Sequence, residues 1–121
     1  MSDTPPDSLA DQVLWEKVLL LLEIDRAVDA MQALEILLSR NGEYPKAHLL
    51  MGRMLLERAD DNGLKHLLLA VEQDLELTDE AGRAGYVYLM RRGREKEAKR
   101  FWTKAQELYE NPRHMPDSLL E

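Results

Sequence analysis

The 121-residue chain has no cysteine. Disulfide staples, thiol nucleophiles and sulfur-ligated zinc are therefore excluded, and the composition suits a reducing cytoplasm. Aromatic residues are scarce, at 6%. Phe101, Trp102 and Tyr109 fall mostly on the apolar side of one expected helix, so they make no stacking platform for nucleic acid. No apolar run exceeds five residues, as in Val18–Leu22, far short of the roughly 20 needed to span a bilayer. The opening Met1-Ser2-Asp3-Thr4-Pro5-Pro6-Asp7 lacks the basic-then-apolar order of a secretion signal. A cytoplasmic protein without a membrane partner is expected. Catalytic motifs are missing too: there is no glycine-rich phosphate loop, no H-E-x-x-H and no serine in a strand-to-helix elbow. His48, His66 and His114 sit on separate expected elements with no ligand partner at helical spacing. Asp60-Asp61-Asn62-Gly63 lacks the alternating ligands and closing glutamate of a calcium loop and reads as a helix–helix turn. The expectation is a non-enzyme with no metal and no cofactor.

The net charge of −7 is unevenly spread. Residues 1–44 hold nine acids and three bases, whereas residues 78–121 hold eight acids and nine bases. An acidic front disfavours general nucleic-acid binding but can steer a protein partner. The densest basic run is Arg91, Arg92, Arg94, Lys96, Lys99, Arg100 and Lys104. It could receive phosphate or an acidic peptide. However, Glu95 stands four residues before Lys99 and Glu97 is interleaved, as in an ordinary solvated helix.

Breakers and caps divide the chain into about six helices. Residues 1–8 form a lead-in ending at Ser8, a cap for helix one (Leu9 to Leu22). Helix two is expected over Asp25 to Arg40, with Asn41-Gly42 as its stop. Pro45 suits the first turn of helix three, which runs to Ala59. Helix four starts with Asp61 or Asn62 as cap, carries Leu64, Leu67, Leu68 and Val71 on one stripe, and ends near Leu75. Thr78 opens helix five, Gly93 closes it, and helix six spans Arg94 to Tyr109. A single domain over 9–110 is expected, followed by a mobile tail over 111–121.

Small residues and apolar columns recur along these helices. Ala81, Gly85 and Tyr88 step back by 33 to His48, Gly52 and Leu55, then to Trp15, Leu19 and Leu22. Ala98, Trp102 and Ala105 step back by 34 to Leu64, Leu68 and Val71, then to Ala30, Leu34 and Leu37. Glycine inside a helix costs roughly 1 kcal/mol relative to alanine, so Gly52 and Gly85 imply close helix–helix approach. A two-helix unit with this period is the mark of a tetratricopeptide-type repeat. Residues 78–110 resemble that family over nearly a whole unit, through Gly85, Tyr88, Ala98, Trp102 and Ala105. Residues 45–77 resemble it in part, with Leu75 where the family often has proline, and residues 9–44 resemble it mainly by register. The resemblance implies an all-α fold of three helix-turn-helix hairpins stacked as a short right-handed solenoid.

It also implies a protein-interaction module of bacterial type, with a groove lined by the first helix of each pair. Transferred by register, Lys46, Leu49, Arg53 and Glu57 of helix three and Arg83, Tyr86 and Met90 of helix five face inward. A rotation of one position would exchange them. Arg53, Arg83 and Tyr86 suit an acidic peptide or a C-terminal carboxylate. Helices three and five contain no asparagine, so the lysine–asparagine clamp of chaperone-tail binders is absent. Helix one is apolar around most of its circumference, unlike a solenoid end that faces water. Leu14, Trp15, Leu20 and Leu21 are its expected self-association face, and a homodimer paired there is the alternative function. The chain is also similar to helical repeat domains attached to larger bacterial enzymes, which adds a regulatory subunit of a separate enzyme as a further alternative.

Overall fold

The computed structural model describes residues 8–110. Residues 1–7 of the lead-in and the whole tail, with His114, lie outside the described residues. The described chain is all-α: α1 (Leu9–Glu23), α2 (Ala27–Arg40), α3 (Pro45–Glu57), α4 (Asn62–Gln73), α5 (Thr78–Arg91) and α6 (Glu95–Glu110), with a 3-10 turn at Leu75–Leu77. The most extensive packing joins α1 with α2, α3 with α4, and α5 with α6. Contacts of α2 with α3 and of α4 with α5 then set the three hairpins in a row.

Local chemistry sets the helix ends. Ser8 Oγ accepts the Asp11 N–H at 3.3 Å, the expected cap, and Pro45 occupies the first turn of α3. Each hairpin turn is closed by a left-handed residue: Asp25 (φ 60°), Ala59 (φ 60°) and Gly93 (φ 71°). The next residue in each case donates its N–H to a carbonyl five positions back. The bonds are Arg26 to Leu21 at 2.8 Å, Asp60 to Leu55 at 2.9 Å and Arg94 to Leu89 at 3.0 Å. This is the Schellman closure that consumes the last free carbonyls of a helix. The three left-handed residues are spaced by 34. Their side chains differ, so only Gly93 is recognisable from sequence. The same geometry moves two expected boundaries, because α2 starts at Ala27 after left-handed Asp25, and α3 stops at Glu57 before left-handed Ala59. Helix α4 ends at Gln73, earlier than Leu75, where Asp74 Oδ1 takes the Glu76 N–H at 3.0 Å and starts the 3-10 turn. Thr78 does open α5, yet its hydroxyl donates back to the Leu75 carbonyl at 2.6 Å and does not cap the helix.

The glycines behave as their cost implies. A Cβ placed on Gly52 would lie 2.8 Å from the Gly63 carbonyl oxygen and 2.9 Å from Leu67 Cδ2. A Cβ on Gly85 would enter the Phe101 ring. Helices α3 and α4 thus touch backbone to backbone. Gly63, expected only as part of a turn, is the other half of that contact.

Two apolar clusters form the core. One gathers Val18, Leu34, Leu37, Tyr44, Met51 and Met54 from α1 to α3, and the other gathers Leu49, Leu67, Val71, Leu89, Phe101 and Leu108 from α3 to α6. Helix α3 supplies both, so it is covered on two sides. Helix α1 has α2 as its main neighbour. No described helix is long and apolar enough to cross a membrane.

Candidate protein-binding groove

Helices α3 and α5 flank a recess of about 350 Å³ lined by Arg53, Glu57, Ala84, Val87, Arg91 and Arg92. Two expected groove residues, Arg53 and Glu57, are there. On α5 the expected set is displaced by one position: Ala84, Val87 and Arg91 line the recess, in place of Arg83, Tyr86 and Met90. The cause is the Gly85–Phe101 contact, which rotates α5 so that Tyr86 turns toward α6. Tyr86 meets Trp102 edge-on with ring centroids 6.2 Å apart, and Arg83 joins them in a separate recess with Lys99. Met90 is exposed and lines none of these recesses. Leu49 is buried in the core, and Lys46 lies in another recess between α1 and α3, beside Trp15, Glu16 and Tyr44.

The α3–α5 recess carries a surplus of positive charge. Arg53 pairs with Glu80 of α5 at 2.9 Å, but both side chains are half-exposed. Such a pair contributes about 1 kcal/mol or less, so it can open for a ligand. Arg91 makes no ion pair among the described residues. Arg92 lies over the Tyr88 ring, 3.9 Å from its centroid, and donates to the Tyr88 carbonyl at 3.2 Å. That stacking holds its guanidinium at the rim of the recess.

Below this rim is a clip that the sequence does not announce. Asp61 accepts two hydrogen bonds from Arg94, at 3.0 and 2.7 Å, and a third from the Tyr88 hydroxyl at 2.6 Å. Arg94 also donates to Glu97 at 2.8 and 2.9 Å. Asp61 occupies the expected N-cap position of α4, but its side chain makes no cap hydrogen bond; its carboxylate ties the α3–α4 turn to the start of α6. Arg94 and then Tyr88 hold the Asp61 carboxyl below its ordinary range, and Arg94 does the same for Glu97. Burial and the Asp61 bond raise the Tyr88 phenol. In the structure both ends of the clip follow left-handed turn residues, Asp61 two after Ala59 and Arg94 one after Gly93.

His48 and His66 lie on separate helices, as expected, and meet across them. Their Nδ1 atoms are 2.9 Å apart, and His48 Nε2 lies 2.8 Å from the Gly42 carbonyl. A carbonyl only accepts, so His48 carries its proton on Nε2 and its Nδ1 accepts from His66 Nδ1–H. Protonating both rings would oppose two N–H groups. Burial, and then the charge of a protonated His48, lowers the His66 pKa. Gln73 donates to the same Gly42 carbonyl at 2.9 Å, making this cluster a lock on the α2–α3 connection.

Helix one is covered only in part. Leu14, Trp15 and Leu21, three of its four expected self-association residues, pack against the first core cluster, with Trp15 5.7 Å from Tyr44 between ring centroids. Leu20 alone points out, joined by Leu9, Val13 and Ile24. The basic run is likewise divided. Arg91 and Arg92 serve the α3–α5 recess, Lys99 pairs with Glu95 at 3.2 Å, and Arg94, Arg100 and Lys104 border a cleft between α4 and α6. Tyr109, expected on the apolar side of its helix, is exposed.

Comparison with family models, with curated proteins and with solved structures returns no match. The functional reading therefore rests on the geometry of this chain.

Proposed function

We propose that the protein is a non-enzymatic interaction module, a tetratricopeptide-like array of three hairpins that holds an acidic segment of a partner between α3 and α5. The observation that supports this best is the trio Arg53, Arg91 and Arg92 around one recess, with Arg91 making no ion pair among the described residues. Guanidinium groups grip carboxylates through paired hydrogen bonds. Asp61, Arg94 and Glu97 border the cleft between α4 and α6, where their charges are spent on one another in hydrogen-bonded ion pairs. The 34-residue recurrence of left-handed turns supports the repeat architecture. Lack of cysteine and the apolar patterning favour a cytoplasmic setting.

The test is fluorescence anisotropy with a labelled glutamate-rich decapeptide and its glutamine analogue. The glutamate peptide should bind more tightly, and Arg53→Glu/Arg91→Glu should weaken it at least about tenfold, a change worth ~1.4 kcal/mol. Equal binding by that double variant would refute the groove assignment.

A second reading, self-association through the first hairpin, is favoured by the uncovered apolar side chains of α1.

A further inference from the structure

The recess between α1 and α3, about 330 Å³, is opposite in character to the arginine recess between α3 and α5. Trp15 of α1 and Tyr44, the residue before α3, form its aromatic wall, with ring centroids 5.7 Å apart and planes tilted by 40°. Three acids border that wall, each from a different element: Glu16 from α1, Glu43 from the α2–α3 connection and Asp74 from the end of α4. Gln73 holds the α4 end in place through its bond to the Gly42 carbonyl at 2.9 Å. Lys46 is the one base among the described residues of the lining. It makes no ion pair among the described residues, and neither does any of the three acids. The surroundings reinforce the sign, since residues 8–44 hold seven acids and three bases.

A guanidinium or ammonium group entering this recess would meet carboxylates and electron-rich aromatic surface together. An anion would be opposed by both. The position of the recess relative to the arginine recess follows from α3. Lys46 and Arg53, seven residues and nearly two turns apart, share one face of that helix, about 10 Å apart along its axis. The aromatic recess lies at the N-terminal end of that face, on the α1 flank, and the arginine recess nearer its C-terminal end, on the α5 flank. With neighbouring helix axes about 8–10 Å apart, the two centres are separated by roughly 14 Å, or about four residues of extended chain.

We infer that the α1–α3 recess receives a basic side chain of the same partner segment whose acids meet Arg53 and Arg91. The ligand is then an extended segment with its base and its acids about four residues apart. The inference rests on the groove reading and adds a second site to it. A wholly acidic segment crossing α3 would set carboxylates against Glu16, Glu43 and Asp74, and like charges across an interface oppose docking. A segment with one basic and one acidic end meets the opposite charge at both recesses. The two sites also fix its direction across α3, because reversing it places like charges together at each end.

The experiment is fluorescence anisotropy of the full chain with labelled peptides of one length, at about 0.15 M salt. The first peptide carries an arginine four residues from a pair of glutamates. The second replaces the arginine by citrulline, its neutral isostere, and the third replaces the glutamates by glutamines. The protein variant is Glu16→Gln/Glu43→Gln; both side chains are exposed, and circular dichroism checks that it folds. Wild type should prefer the arginine peptide to the citrulline peptide by about tenfold, in the range of a cation held by carboxylates and aromatic rings. The variant should bind the two equally. Moving the arginine next to the glutamates should also abolish the preference. Equal binding of arginine and citrulline peptides by wild type, or a preference that survives in the variant, would overturn the inference and leave the groove in place. A glutamine peptide that binds as tightly as the first would overturn the groove reading instead, and no binding by any peptide would overturn both.

Discussion

Replacing Gly52 by alanine sets two effects of known sign against each other. Alanine is the better helix former by about 1 kcal/mol, so at an unconstrained site the change would stabilise α3. At Gly52 the new Cβ would stand 2.8 Å from the Gly63 carbonyl oxygen, where ordinary contact begins near 3.4 Å. The obstacle is backbone, so no side-chain rotation relieves it. Helices α3 and α4 must part by about 0.6 Å, loosening Leu56 and Leu67, which pack around the crossing. Overpacking of this kind costs typically 1–3 kcal/mol, and here it is met by a rigid partner with a second clash at Leu67, placing it at the upper end. The net expectation is a loss of roughly 1–2 kcal/mol, or about 4–16 °C in Tm for a domain of this size. Gly42→Ala is the control, since its nearest neighbour is 3.9 Å away and its φ is not left-handed; it should be neutral or slightly stabilising. The measurement is urea unfolding followed by circular dichroism. The Gly52→Ala/Gly63→Ala double variant should lose less than the sum of the singles, because the first substitution already separates the helices. A Gly52→Ala protein as stable as wild type would refute the close-contact account.

At the turns, Ala59→Gly should raise stability by about 0.5–1 kcal/mol by removing a left-handed alanine, and Gly93→Ala should lower it by about 1 kcal/mol, both read from thermal unfolding. Because the folded-state pKa of His66 is depressed, the unfolded chain takes up its proton first; stability is full above about pH 6.5 and falls as pH drops toward the lowered value. Urea midpoints between pH 7.5 and 5 should show that slope in wild type and a flatter one in His66→Gln. Asp61 contributes stability above its ordinary carboxylate range that is lost as pH falls through its lowered folded value. Asp61→Asn should thus be the less stable protein at pH 7, by about 1 kcal/mol or less given its exposure, and the gap should close in acid.

Patterning along single helices, and the steps of 33 and 34 between them, were enough to give the six helices, the glycine contacts at Gly52 and Gly85, and the Ser8 cap. These features depend on neighbours within a turn of helix or on the cost of a particular residue, and both are written locally. The first hairpin shows how far that reach extends. Its apolar excess was legible, but Leu14, Trp15 and Leu21 turn inward, and only Leu20 of the expected four lies on the open face. Three further features came only from the tertiary structure. The one-position rotation of α5 depends on how the Phe101 ring enters the space left by Gly85. The Asp61–Arg94–Tyr88 clip and the His48–His66 pair join residues distant in sequence, at distances set by the relative placement of hairpins. Periodicity determines which side of a helix is apolar, whereas the angle at which that helix meets its neighbour is decided by side-chain shapes on both. A rotation of one residue, about 100°, is enough to exchange one set of groove residues for the next.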